Sequence, residues 1–173
     1  MNVILLGYRG SGKTSIGKKL ANELWKDFVD TDDRVRQRFN GVPIAEIWET
    51  HGEPAFRQAE AQTVAELLQK PDQVIALGGG TLTHDDARRT IQQADNATRI
   101  YLRCDPDVLA QRIADDTTTS TERPALTDNA DPADEVRQVL TQRDPVYRHT
   151  ADIVFDVTHC SIEEAVRYLI AKL

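Results

Sequence analysis

Three observations predict an α/β domain built on a parallel sheet with crossover helices. Apolar runs of strand length recur at 3–6, 28–29, 74–77, 99–102 and 153–155. Longer stretches of helical pattern separate them, an alternation that parallel strands joined through helices require. Size is the third: 173 residues, 40% hydrophobic and 28% charged, suit one domain with both faces of a sheet covered. Residues 1–173 therefore read as a single domain without repeat or linker, with ligands expected beyond the carboxyl ends of the strands.

The first strand runs directly into GYRGSGKT at 7–14, and a helical run follows from Ile16. Strand, glycine-rich loop and helix in that order make a P-loop. Gly7, Gly10 and Gly12 let successive backbone N–H groups converge on phosphate oxygens at the positive end of a helix. The nucleotide-binding residues are then Gly10, Ser11, Gly12, Lys13 and Thr14. Lys13 supplies a point charge near the β- and γ-phosphates, and the Thr14 hydroxyl suits Mg²⁺, which prefers oxygen ligands and keeps several waters. A P-loop alone does not separate a kinase from a motor or a switch protein.

After the second strand, Asp30-Thr31-Asp32-Asp33 sets carboxylates two residues apart. One acid suits the water shell of a metal, and another can accept a hydrogen bond or proton from an attacking hydroxyl; an N-cap cluster is the alternative. Arg57, in GEPAFRQAE at 52–60, is either a ligand group or a surface partner of Glu53 or Glu60. The third strand runs into Gly78-Gly79-Gly80, where missing side chains let a ligand touch backbone. Asp105-Pro106 marks a helix start, and Ser161 with Glu164 makes a capping box. Residues 115–134, rich in Thr, Asp and Pro, lack an apolar period and read as a long mobile loop.

Several classes are excluded. With 21 Lys and Arg against 28 Asp and Glu, the net charge of -7 offers no general attraction to nucleic acid. Cys104 and Cys160 form no metal-binding spacing and read as buried small residues in a reducing compartment. The four histidines are too scattered for a zinc site. MNVILLG has no basic leader and no stretch reaches membrane-spanning length, so a cytoplasmic protein with no membrane partner is expected.

GYRGSGKT, DTD at 30–32, GEPAFR, LGGG, ERPAL and RDPVYRHTAD occur in an order that resembles the shikimate kinases, across essentially the whole chain. The resemblance implies a three-layer P-loop fold with a five-stranded parallel sheet, akin to nucleoside monophosphate kinases. It also implies ATP-dependent phosphorylation of the shikimate 3-hydroxyl with Mg²⁺, in aromatic amino acid biosynthesis. By position, Lys13, Asp32 and Arg123 are the implied catalytic residues, and Asp32, Arg57, Gly79, Gly80 and Arg143 the implied shikimate-binding ones. Asp30, through water, joins Thr14 at the metal, and Asp33 is left as a helix cap. Arg112 is matched to the adenine face, the loop at 157–161 to the adenine pocket, and His159 to the periphery. Residues of about 31–60 would form a substrate-binding segment and about 115–128 a mobile lid, longer than in the family through its TTTST run. The chain would work as a monomer. A gluconate or nucleoside monophosphate kinase would share the P-loop, and a nucleotide-binding regulator would keep the cradle without acceptor chemistry; the arginines and triple glycine argue against both.

Overall fold

A computed structural model describes residues 1–116 and 131–173. Five strands form one sheet in the order β2-β3-β1-β4-β5: β1 (Asn2–Leu6), β2 (Asp27–Asp30), β3 (Gln73–Ala76), β4 (Ala97–Arg103) and β5 (Ile153–Asp156). Every neighbouring pair is parallel. Central β1 and β3 are buried at every position, which is why they read as unbroken apolar runs, whereas the edge strand β5 alternates. The described residues form seven α-helices: α1 (Lys13–Glu23), α2 (Thr31–Arg38), α3 (Ile44–Leu68), α4 (Asp85–Gln92), α5 (Pro106–Asp115), α6 (Pro132–Thr150) and α7 (Ile162–Ile170). No described helix is long and apolar enough to cross a membrane.

Helix boundaries follow local chemistry. Asp105 accepts from the N–H groups of Asp107 and Val108, and Ser161 and Glu164 close their capping box, as the sequence predicts. The loop expected to reach residue 134 ends earlier: Asp131 caps α6 by accepting from the Ala133 N–H, with Pro132 in the first turn. Helix α1 leaves through Trp25, whose φ of 56° is left-handed. Its N–H reaches the Asn22 carbonyl while that of Lys26 reaches Ala21, the double bond of a Schellman ending that ordinarily uses glycine. Because the Trp25 side chain is 95% exposed, Trp25→Gly forfeits no packing. It is expected to stabilise the protein by about 0.5–1 kcal/mol, read as a higher urea midpoint.

Helix α3 breaks at Gly52, whose φ of 81° and ψ of 157° belong to a region open only to glycine. The break folds the first half of α3 over the second. A second apolar cluster results, with Val35, Ile44, Ile47, Phe56 and Ala59 buried and Phe39, Val42 and Trp48 packed on it. Residues 31–60 thus carry a small core of their own beside the sheet.

Candidate active site

The carboxyl ends of β1, β2 and β3, adjacent in the sheet, open onto two contiguous clefts. The first is the phosphate cradle. Gly7 has a φ of 144°, and a Cβ there would lie 2.8 Å from both the Leu102 carbonyl and Ser11 Oγ, so only glycine lets the strand turn into the loop. Lys13 Nζ donates to the Gly7 and Tyr8 carbonyls at 2.8 Å each, holding its charge at the rim. Gly10, Ser11, Gly12 and Thr14 line the same cleft.

Thr14 Oγ1 donates to Asp30 Oδ2 at 3.0 Å. The other Asp30 oxygen accepts from the Asp32 N–H at 3.0 Å and caps α2. Asp30, not Asp33, is therefore the cap, because the helix begins at Thr31 and places the Asp32 N–H within reach; Asp33 pairs instead with Arg36. Burial, and next the neighbouring Asp32, push the Asp30 carboxyl above the usual range, against the hydrogen bond from Thr14. Asp32 is only 8% exposed and lines both clefts, as do Arg9 and Gly79.

The second cleft is built around Arg57. Its Nε pairs with Glu53 at 3.2 Å and its NH1 with Glu60 at 2.6 Å, so the helical ion pairs and a place in the cleft coexist. The guanidinium also lies 5.5 Å from the Trp48 ring centroid and 5.4 Å from that of Phe56. Glu60 is 1% exposed and accepts from Thr81 Oγ1 at 2.8 Å. Burial pushes its carboxyl up and Arg57 opposes the shift. Across the cleft, Arg143 on α6 donates to the Gly79 carbonyl at 3.0 Å, and Gly80 packs on the Arg57 guanidinium. Asp32, Arg57, Gly79, Gly80 and Arg143 thus line one cleft.

Arg112 spans the far end of the phosphate cleft. Its NH2 donates to the Val157 and Thr158 carbonyls at 3.2 Å each, tying α5 to the loop after β5. Cys104 is buried as expected, but Cys160 is half-exposed and lines the cleft with Val157 and Ile162, because its loop crosses the cleft mouth just before α7. His159 faces a separate groove beside Tyr168. Arg123 and residues 117–128 of the expected lid lie outside the described residues.

Sequence reasoning missed Arg9, Trp48, Phe56 and Glu60 as cleft residues. For Glu60 the signal was present, one helical turn beyond Arg57. Arg9 forms an ion pair with Glu135 on α6, both largely buried, across 126 residues of chain that leave no local trace.

A family model described as shikimate kinase matches residues 9–173. A shikimate kinase of Rhodopirellula baltica is 40% identical over 163 residues, covering 94% of this chain and 85% of that protein. One of Dechloromonas aromatica is 37% identical, covering 99% and 89% respectively. Among solved structures, the shikimate kinase from Acinetobacter baumannii in complex with shikimate superposes with a TM-score of 0.89 at 28% identity, covering 99% of this chain and 91% of that one.

Proposed function

The chain belongs to the shikimate kinase family, and from that membership we propose that it transfers the γ-phosphoryl group of ATP to the 3-hydroxyl of shikimate. The products are ADP and shikimate 3-phosphate, on the route to chorismate and the aromatic amino acids. One observation carries the site assignment: Asp32, with Arg9 and Gly79, borders both the phosphate cradle and the arginine-flanked cleft. A hydroxyl held by Asp32 therefore faces the end of a triphosphate.

ATP phosphates would lie on residues 10–14, with Arg112 on the adenine side. The carboxylate of shikimate would be gripped by Arg57 and Arg143, whose planar forks each offer two donors. Gly79 and Gly80 leave room for the ring hydroxyls, and Asp32 orients the attacking one; a loose transition state needs orientation more than full deprotonation. Lys13, joined by Arg123, stabilises charge on the transferring oxygens.

The Thr14 hydroxyl and the Asp30 carboxylate, 3.0 Å apart at the cradle, are the oxygen donors a hard cation requires. Thr14 directly and Asp30 through water would hold Mg²⁺, which when bound neutralises charge on the β- and γ-phosphate oxygens. Asp30→Asn is expected to raise the Mg²⁺ concentration for half-maximal rate by about 10- to 100-fold. An unaltered requirement in a metal titration would remove Asp30 from the metal shell.

The assignment is tested by ADP formation with shikimate, gluconate, AMP or no acceptor under identical Mg-ATP conditions. Stimulation by shikimate is expected. Stimulation confined to gluconate or AMP contradicts the assignment, and nucleotide binding without turnover on any acceptor supports a regulator.

A further inference from the structure

Arg143 is one residue of the segment at 143–149, RDPVYRH, and the others have work of their own. We propose that Tyr147 positions the peptide joining Gly79 to Gly80 for the acceptor, and so releases Arg143 to take the acceptor carboxylate. The proposal rests on the shikimate site described above.

Arg143 and Tyr147 lie one turn apart on α6 and reach the same atom. Arg143 NH1 donates to the Gly79 carbonyl at 3.0 Å, and the Tyr147 hydroxyl donates to it as well. The peptide is trans, so its carbonyl and N–H point in opposite directions. Holding the Gly79 carbonyl toward α6 turns the Gly80 N–H away from α6, and Arg57 borders the same glycine, 2.7 Å from where a Cβ of Gly80 would be. A backbone donor in that direction can serve a ring hydroxyl of a substrate whose carboxylate sits between the two arginines.

The second donor matters once the substrate is considered. A carboxylate competes for the Arg143 guanidinium, since it offers a full opposite charge and two oxygens to the planar fork where the carbonyl offers a neutral acceptor. If Arg143 alone held Gly79, binding would free the peptide it needs fixed. Tyr147 has no such competition. It is 2% exposed, its ring packs on Tyr101 at 5.0 Å, and burial above all pushes its phenol up to about 12, so it remains a donor throughout the working range. The intervening residues fix its reach: Asp144 accepts from the Tyr101 hydroxyl at 2.8 Å and from Arg148 Nε at 2.6 Å, which seats α6 on β4. Residues 143 and 147 therefore both reach the triple glycine, with Asp144 anchoring the same turn to Tyr101 on β4.

Tyr147→Phe keeps the ring and removes the donor. Its KM for shikimate is expected to rise about tenfold, with KM for ATP unchanged and amide exchange over residues 77–81 accelerated in the presence of shikimate, whose carboxylate draws Arg143 away. Unchanged shikimate KM would overturn the proposal, as would equal rises in both KM values with a lower melting temperature, the mark of a purely structural role. Arg143→Met supplies a second, independent test: residues 77–81 should keep their exchange protection because Tyr147 still holds Gly79, and lost protection would overturn the proposal even if Tyr147→Phe failed to fold. Failure of the underlying site assignment is distinguishable, because the wild-type protein would then form no ADP in response to shikimate.

Discussion

Gly78→Ala is expected to lower kcat/KM for shikimate at least about 100-fold while leaving ATP affinity intact, since a displacement of about 1 Å at a reacting group can cost that much. A Cβ at residue 78 would lie 2.3 Å from Asp32 Oδ1, 2.9 Å from Glu60 Oε1 and 3.0 Å from Thr81 Oγ1. None of the three can retreat easily. Asp32 sits in the first turn of α2, Glu60 is held by Arg57 and Thr81, and the Gly78 N–H is itself bound to Thr31 Oγ1 at 2.8 Å. One methyl group would therefore move the carboxylate proposed to orient the hydroxyl and disturb the partner of Arg57. Gly79→Ala is the control. Its Cβ would clear every protein neighbour by 3.4 Å or more and would not touch Asp32 or Glu60, so kcat/KM should fall far less than in Gly78→Ala. Steady-state kinetics with displacement of a fluorescent nucleotide separate the two. A Gly78→Ala enzyme with near-normal turnover would mean that Asp32 and Glu60 tolerate the shift and do not act from these positions.

The sequence made the cradle legible because strand, glycines, lysine and helix are contiguous: eight residues contain the whole device. The strands that flank it were also legible, since burial on both faces leaves no alternation to confuse with a helix. What escaped notice depended on distance or on where a helix begins. Asp33 looked like the cap of α2, but the helix starts three residues sooner than that assignment needs, and Asp30 both caps and faces Thr14. The start of α6 was hidden among threonines and aspartates, although Asp131-Pro132 repeats the signature read correctly at Asp105-Pro106. The Arg9–Glu135 pair joins the P-loop to α6 and could only be found in three dimensions. Among the glycines, 79 and 80 were singled out for approach to the substrate, yet the tightest contact with protein is at 78. A run of three glycines says that backbone must come close to something and does not say to what.

The two arginines of the proposed carboxylate grip are expected to fail differently. For Arg143→Ala the loss should be confined to shikimate affinity, about 1.5–3 kcal/mol for the charged hydrogen bonds, because its partner in the free protein is a neutral carbonyl that Tyr147 also serves. Arg57→Ala should cost affinity and, in addition, about 3–5 kcal/mol of stability, because it strands Glu60, 1% exposed, without its cation. The second loss carries a pH signature. Burial already holds the Glu60 carboxyl above its unfolded value, and Arg57 is the largest influence opposing that shift. Removing Arg57 raises the folded value further. Between the unfolded and folded values the native state binds the extra proton, so stability is greater on the acid side and falls as pH rises through that window. The melting-temperature deficit of Arg57→Ala should therefore shrink as pH is lowered from 8 toward 5, while Arg143→Ala should show no such trend. Arg57→Ala/Glu60→Gln, which removes the stranded charge, should recover much of the stability and none of the shikimate affinity. A deficit independent of pH, or a double variant no more stable than Arg57→Ala, would place the cost of losing Arg57 in its packing on Trp48 and Phe56 instead of in the buried carboxylate.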